Sequence, residues 1–178
     1  MKNKIIYKLI IIFFFSFFIS KTNSSEQFQF DVTEIEILNN GNLFKGIKRG
    51  TIKTDDGVTI VADTFVYNKE TNIINAEGNV EFDDTLNNYN IFSDKMTYLK
   101  NKEIIFSEGN SKAIDKDNKI ITADNFKFNK LQNILNAEGN AKIEDNIEDY
   151  IIYSENITYN RNDEKVKTTG NTKAKIKS

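Results

Sequence analysis

Four carboxylates recur along the chain at a nearly constant spacing, and acidic side chains are among those that can do chemistry. They lie 30 or 31 residues apart and are Asp63, Asp94, Asp124 and Glu155. Carboxylates brought side by side can bind a metal ion, and a pair of them can hydrolyse a glycosidic bond. The acidic pairs Asp55–Asp56 and Asp83–Asp84 raise the same question. Whether any of these groups act together depends on the elements that carry them.

The composition of the chain argues against most other catalytic chemistry. It contains no His and no Cys, which removes the usual catalytic triads, zinc sites and thiol nucleophiles. The Gly-x-Ser-x-Gly motif of a nucleophilic serine is also absent. We therefore expect the carboxylates to be solvated or to cap turns, accepting hydrogen bonds from backbone N–H groups that a kinked strand leaves free. The chain is expected to be no enzyme and to hold no metal or other cofactor.

Two phrases recur with this same period of about thirty residues. Gly-Asn pairs begin at Gly78, Gly109, Gly139 and Gly170, and the fullest copies read INAEGNV and LNAEGNA. A second phrase recurs as IVADTFVYNK, IFSDKMTYLK, ITADNFKFNK and IYSENITYNR. A fixed period of this length indicates a repeat architecture in which each unit packs against its neighbours.

Each repeat contains two strand-like halves. From Ile74 to Phe82, apolar or small residues alternate with polar ones, which is typical of a strand with one buried face. In the other half the alternation slips by one residue at the acidic position, so that Ile60 and Phe65 have opposite parity around Asp63. Such a strand must bulge or bend to keep both groups on one face. We therefore predict kinked strands whose two ends belong to two facing sheets.

The segments between these halves are polar and rich in Asn, which predicts tight turns. No helical periodicity follows the first 25 residues. The pattern predicts an all-β chain of about ten long antiparallel strands, stacked repeat on repeat. Their predicted bounds are 28–38, 43–54, 58–68, 72–83, 88–98, 103–114, 119–128, 133–143, 149–160 and 165–176.

The N-terminal segment differs from the rest of the chain. Lys2, Lys4 and Lys8 precede the apolar run 9–19, and the polar segment SKTNSS follows. This order is typical of a secretory signal peptide, and the run is short for a bilayer span, which needs about 20 residues. We predict cleavage after Ser24 or Ser25, which gives a signal peptide over 1–25 and one domain over 26–178. An uncleaved N-terminal anchor is the alternative.

The charge of the predicted domain bears on its partners. All 26 acidic residues of the chain lie at or after Glu26, and the basic residues of the domain are dispersed along it. Proteins that bind nucleic acid normally present clustered Lys and Arg side chains. We therefore expect no nucleic acid among the partners of this chain.

The repeated phrases resemble the OstA-like family of periplasmic proteins, which includes LptA, LptC and the N-terminal domain of LptD. The family phrase is an Ala-Asp, an aromatic residue, a turn, an aliphatic pair and then Ala-x-Gly-Asn-Val. This chain carries similar phrases at Ala62-Asp63, Tyr67, Ile73-Ile74 and Ala76–Val80, and again at Ala123-Asp124, Phe128, Ile134-Leu135 and Ala137–Ala141. Two copies depart from the pattern, since Phe106-Ser107 replaces Asn-Ala and the last copy, KTTGNTK, is polar.

The resemblance implies a fold, a ligand and partners. The fold would be an open β-jellyroll in which an apolar slot between two sheets holds the acyl chains of lipopolysaccharide. The partners would be lipopolysaccharide and same-fold transport proteins at the inner and outer membranes, joined by pairing of the first and last strands, or further copies of this chain head to tail. The lysines of the last strand have an alternative explanation as protective charges on a free edge.

The side chains expected to line the slot are inward-facing apolar and aromatic positions of the repeats. They are Ile60, Phe65, Tyr67, Ile74, Val80, Phe82, Ile91, Met96, Tyr98, Ile105, Ile121, Phe126, Phe128, Leu135, Ile143, Ile152, Ile157 and Tyr159. In most repeat proteins such columns are ordinary core. A structural β-repeat adaptor with a filled core is therefore an alternative function, and an N-terminal-domain fragment of an LptD-like protein is another.

Overall fold

The computed structural model describes residues 28–115 and 117–176, and these residues fold almost entirely into β-strands. The predicted signal peptide lies outside the described residues. The strands are β1 (Phe28–Asp31), β2 (Glu34–Leu38), β3 (Leu43–Ile47), β4 (Gly50–Thr54), β5 (Val58–Ala62), β6 (Thr64–Asn68), β7 (Ile73–Asp84), β8 (Tyr89–Leu99), β9 (Ile104–Asp115), β10 (Ile120–Asn129), β11 (Ile134–Asp145), β12 (Tyr150–Asn160), β13 (Lys165–Thr169) and β14 (Lys173–Ile176). Single 3-10 turns occupy Asn39–Gly41 and Lys100–Lys102.

Hydrogen bonds join the described strands into one open antiparallel sheet, which bends across its middle into two walls. Wall A consists, in spatial order, of β1, β4, β5, one half of each of β7 to β12, and β14. Wall B consists of β2, β3, β6, the other halves of β7 to β12, and β13. The halves that belong to wall A are 80–84, 89–93, 111–115, 120–123, 141–145 and 150–154. The predicted all-β, open jellyroll is thus confirmed.

The predicted kinks lie where the two walls join. β7 to β12 continue through the kink but shift register there, for example between Phe92 and Lys95 of β8. The predicted strands 28–38, 43–54, 58–68 and 165–176 each form two strands rather than one, because the hydrogen-bond ladder is broken at the bend. The slip in sequence alternation therefore marks the bend of the sheet.

From the bend between β5 and β6 onward, the bends are joined in pairs by a hydrogen bond between an acidic residue at one bend and the Asn of a Gly-Asn pair at the next. The Asn Nδ2 donates to the carboxylate over 2.8–2.9 Å in the pairs Asp63–Asn79, Asp94–Asn110, Asp124–Asn140 and Glu155–Asn171. As expected, these acids are in contact with solvent, since Asp94, Asp124 and Glu155 are exposed and Asp63 is half-buried. What was not expected is that each also accepts a hydrogen bond from a side-chain amide, which the Gly-Asn bulge brings beside the acid. We call this row of pairs the fold line.

The two walls face each other across a shared interior. Phe82 in wall A and Tyr98 in wall B pack edge to face with ring centroids 5.9 Å apart. Tyr98 pairs with Ile74, which is eight residues from Phe82 along β7. In a straight strand that separation would be about 26 Å. The contact therefore requires the sheet to fold back on itself at the fold line.

The glycine of each Gly-Asn pair on the fold line leaves no room for a side chain. Gly139 has a φ of +77°, a conformation that L-residues rarely adopt. A Cβ placed on it would lie 3.0 Å from the Cβ and Cγ of Asp124 and closer still to a carboxylate oxygen. In the sequence, this glycine suggested that the backbone comes close to another group. In the structure that group is Asp124, the acid of the fold line.

We predict that Gly139→Ala lowers the free energy of unfolding by more than the roughly 1–2 kcal/mol that a left-handed conformation alone costs. The excess arises because the new methyl group displaces Asp124 from Asn140. Gly41→Ala is the matched control, since Gly41 has a φ of +88° but a Cβ there meets no atom within 4 Å. Urea unfolding followed by circular dichroism measures both variants, and equal losses would contradict the role given to the fold line.

Candidate ligand groove between the walls

The structure places the eighteen predicted groove residues together between the two walls. Seventeen are buried in one continuous apolar cluster, and Ile152 is half-buried against it. Wall A contributes Ile60, Val80, Phe82, Ile91, Ile121, Ile143 and Ile152. Wall B contributes Phe65, Tyr67, Ile74, Met96, Tyr98, Ile105, Phe126, Phe128, Leu135, Ile157 and Tyr159. This shared placement fits a ligand groove and a filled core alike.

An unbroken row of apolar residues crosses every strand of each wall. In wall A, successive paired positions are Phe30, Ile52, Ile60, Phe82, Ile91, Ala113, Ile121, Ile143, Ile152 and Ala174. In wall B they are Ile37, Phe44, Tyr67, Ile74, Tyr98, Ile105, Phe128, Leu135, Tyr159 and Val166. Ten strands spaced about 4.8 Å apart give each row a length of about 43 Å.

The rows are buried in the middle of the sheet and become exposed at its two free edges. At one edge Ile37 of β2 is 57% exposed. At the other edge Ala174 is exposed and its neighbour Ile176 is 87% exposed. The apolar track thus reaches both ends of the described fold with exposed apolar side chains.

Small buried residues flank the fold line, where the walls converge. They are Ala62, Ala76, Ser93, Ser107, Ser111, Ala123, Ala137, Ala141 and Ser154. The hydroxyl oxygens of Ser107 and Ser111 lie 2.8 Å apart and hydrogen-bond to each other. Sequence reasoning placed the Ala of the repeated Asn-Ala-Glu-Gly-Asn phrase on the apolar face of its strand but did not count it among the groove residues. In wall B these small residues pair with large ones, as Ala76 does with Phe65 and Ala137 with Phe126, so small and large side chains alternate from strand to strand beside the bend.

Opposite the fold line, the ends of the two walls meet and cover the interior. We call the strand ends and turns 54–58, 84–89, 117–120 and 145–150 rim A, and 68–73, 99–104, 129–134 and 160–165 rim B. Lys100 and Lys130 on rim B reach the Asp56 carboxylate on rim A at 2.7 and 3.2 Å. Lys130 also lies 3.3 Å from Asp84 on rim A. Glu103 on rim B lies 2.7 Å from Lys100 and 3.1 Å from Lys130.

This cluster corrects the sequence-based view of the acidic turns. Asp84 does cap its turn, since the Asn87 N–H donates to it over 3.1 Å, but it is buried rather than solvated. Its cation, Lys130, comes from the opposite wall. This pairing could not be predicted from the sequence because it depends on how the two rims meet.

The environment of the cluster favours its charged forms. Burial alone would raise the pKa of the Asp56 carboxyl, but hydrogen bonds from Lys100 and Thr54 and the charge of Lys130 hold that pKa well below its ordinary value. Burial alone would lower the pKa of Lys130, but the surrounding carboxylates raise it. Both side chains are therefore ionised at neutral pH.

A second polar cluster lies farther along the mouth. Lys119 is 3.1 Å from Asp145, and its Nζ donates to the Tyr159 hydroxyl over 3.2 Å. That hydroxyl donates to Asp115 over 3.1 Å. Burial, aided by Asp115, raises the pKa of Tyr159 to about 12, so the hydroxyl stays protonated and remains a donor. Tyr159, a predicted groove residue, thus has an apolar ring inside and a polar tip at the mouth.

The comparison with known proteins rests on structure. No protein-family model matches the chain, and no curated protein matches it. Among solved structures, LptH from Pseudomonas aeruginosa, described as the LptA homologous periplasmic component of the conserved lipopolysaccharide transport device, matches with a TM-score of 0.60. The fold is LptA-like. The match covers 68% of this chain and 95% of LptH at 14% sequence identity, so what it establishes is the fold.

Two features of the LptA-like fold bear on metal ions and membranes. Among residues 28–115 and 117–176, no group of three or more acidic side chains is placed to hold a metal ion. In the same residues, no helix has the length and apolar character needed to cross a bilayer.

We predict that Phe126→Asp lowers the free energy of unfolding by several kcal/mol, since loss of a buried aromatic ring alone costs about 3–5 kcal/mol and a buried unpaired carboxylate costs more. Phe126 is 3% exposed and faces the interior from β10. Phe106→Asp is the matched control, because Phe106 is half-buried on the neighbouring strand at the opposite parity. Thermal unfolding of both variants checks this, and an unchanged Phe126→Asp would mean that the interior is assigned to the wrong face.

Proposed function

We propose that the chain is a periplasmic lipopolysaccharide-binding transport protein that carries lipid A acyl chains between the two walls toward the outer membrane. One observation carries the proposal: two apolar rows face each other without interruption and reach both free edges. An enzyme pocket would need no such continuity. A filled repeat core would also be continuous, but it would be expected to end in polar caps rather than in exposed apolar side chains. The ligand is bound and moved without chemical change.

The energetics of such a groove favour acyl chains. Each CH₂ group transferred from water to an apolar environment contributes about 0.8 kcal/mol, so ten buried CH₂ groups contribute about 8 kcal/mol before the costs of binding. Apolar walls supply this without a charged anchor. The rows, about 43 Å long, exceed the length of one acyl chain, which fits several chains side by side or passage from one position to the next.

The location and partners belong to the same proposal. The segment 1–25 has the pattern of a signal peptide, which supports export through the inner membrane. LptH, the structural neighbour, is a periplasmic component of a lipopolysaccharide transport device. Such a domain could belong to a free bridge protein, to an anchored LptC-like protein or to an LptD-like fragment. The proposed lipid-carrying role is the same in all three.

A structural adaptor is the second candidate, and the burial of the interior favours it. Seventeen of the eighteen predicted groove residues are already covered by protein. In an adaptor these side chains would pack only against one another and the interior would admit no ligand. Experiment can distinguish the two functions. In a ligand groove the interior side chains must contact lipid when the ligand is bound, whereas in an adaptor they contact only protein.

We predict that a photo-crosslinking amino acid at Phe126 forms an adduct with lipopolysaccharide in cells that make it, because the side chain faces the groove. The same amino acid at Phe106, at the opposite parity of the same wall, is the control and should give little or no adduct. Phe65 is a second interior position. Adducts are detected by a shift in gel mobility and by mass spectrometry, and the absence of lipid adducts at both interior positions favours the adaptor.

The exposed ends of the apolar rows support pairing with further proteins of the same fold. β2 presents Ile35 and Ile37, 42% and 57% exposed, at one free edge. β13 and β14 form the other edge, and an edge strand can pair with the edge of a second molecule through its backbone. Head-to-tail pairing would join the rows of two molecules into one track.

We predict that truncation after Asn160, which removes β13 and β14, abolishes head-to-tail association while the remaining strands still fold. Sedimentation over a range of concentrations measures association, and circular dichroism checks folding. Neutralising the edge lysines to Gln in the full-length chain is the control, because protective charges would then show increased self-association. If the truncated protein folds and still associates as before, the contact between molecules does not involve β13 and β14.

A further inference from the structure

Opposite charges line the two rims with the period of the repeats. On rim B, the second repeated phrase ends in a cation in every copy, at Lys69, Lys100, Lys130 and Arg161. At the ends of β7, β9 and β11, wall A has a buried acid in every copy, at Asp84, Asp115 and Asp145. Cations of the one rim and acids of the other therefore recur along the whole mouth.

The rims make direct contact at several points. In the cluster already described, Lys130 bridges to Asp56 and Asp84 on rim A. Farther along, the Arg161 guanidinium lies 4.4 Å from the centroid of the Tyr89 ring and donates to the Asn87 carbonyl oxygen over 3.1 Å. Each contact joins a residue of rim B to a residue of rim A. Together they connect the free ends of two walls that are otherwise hinged at the fold line.

These contacts are sheltered but reachable from solvent. The side chains of Lys130 and Lys100 are 9% and 11% exposed, so their ion pairs are screened less than surface pairs. A recess of about 590 Å³, lined by residues that include Asp56, Asn87 and Leu131, opens over the cluster. Ions in solution can therefore compete for it. Removing the cation of a largely buried pair leaves its carboxylate uncompensated, which destabilises the contact strongly.

We propose that the two rims form an ionic latch, with Lys130 at its centre, that holds the interior shut and must part to admit an acyl ligand from the side. At the fold line the strands run from wall to wall through the backbone, so the walls cannot separate there. At the rims, each of the contacts described above is made by at least one side chain, and side chains can exchange partners. The role of the latch in ligand entry rests on the proposed function, whereas its role in holding the rims together does not.

The chain has no Cys, which allows the distance between the rims to be measured directly. Leu86 on rim A and Leu131 on rim B are 73% and 76% exposed, so Leu86→Cys and Leu131→Cys can carry spin labels without disturbing the interior. Double electron–electron resonance then reports the distribution of distances between the labels. Adding Lys130→Met to this doubly labelled chain should make the distribution of distances longer or broader. High salt should have the same effect on the doubly labelled chain that keeps Lys130.

Two further variants make the measurement decisive. Lys102→Met is the matched control, because Lys102 is exposed on rim B in the same turn as Lys100. It should leave the distribution unchanged. Asp56→Asn weakens the latch from the other rim and is the milder variant, since the Asp56 side chain is 35% exposed. If Lys130→Met and Asp56→Asn, both folded by circular dichroism, match the control, the latch proposal is overturned.

Ligand entry is tested with a fluorescent long-chain fatty acid as the probe. A short thiol crosslinker between Leu86→Cys and Leu131→Cys should slow its binding about tenfold or more, as a barrier raised by about 1.4 kcal/mol would. Equal rates with and without the crosslink would overturn the latch as an entry gate and leave lipid binding intact, since ligand would then enter at the free edges. If the probe binds no variant but the label distances still respond, the latch stands and the proposed function fails.

Discussion

The hydrogen bond between an acid and an Asn amide, which recurs four times from the bend between β5 and β6 to the last strands, is the constraint on which the folded-over shape of the sheet depends. A long strand that stays straight gives a flat sheet, and one face of that sheet would leave its apolar residues in water. The Gly-Asn bulge turns the strand, and the Asn then reaches the acid of the neighbouring strand over 2.8–2.9 Å. Because every repeat bends at the same level, the bends align and the sheet closes over its own apolar face.

The size of the interior side chains varies from the bend to the rims. Next to the fold line, small residues of wall A such as Ala123 and Ser154 are buried, whereas in wall B small residues pair with large ones, as Ala137 does with Phe126. The polar rims come last, where the walls meet again and solvent begins. The cross-section of each repeat thus runs from the fold line, through an apolar interior, to the charged rims. Repetition of that section along the sheet produces the two rows.

The sequence predicted the features that depend on local pattern. Alternation and its slip at Asp63 located the strands and their bend, and the columns that contain Phe126 and Leu135 were correctly placed inside. It did not predict the partner of the fold-line acids, because the Asn79 amide approaches Asp63 only once the bulge has formed. Nor did it predict the contact of Lys130 with Asp84, which depends on the twist that brings two distant turns together. The alternation of residues determines which side chains of a strand face the interior. Contacts between the rims depend instead on how the folded sheet brings its two ends together.

In a repeat architecture, the width and the length of the interior are determined independently. Its width is set within one repeat, by the bend at one side and the rims at the other. Its length is set by how many repeats are stacked, and each adds two strands, or about 10 Å. A copy inserted by duplication would bring its own acid, its own Gly-Asn pair and its own rim cation. The span of such a protein can therefore lengthen in discrete steps, encoded in the copy number of a thirty-residue phrase, while its cross-section stays the same.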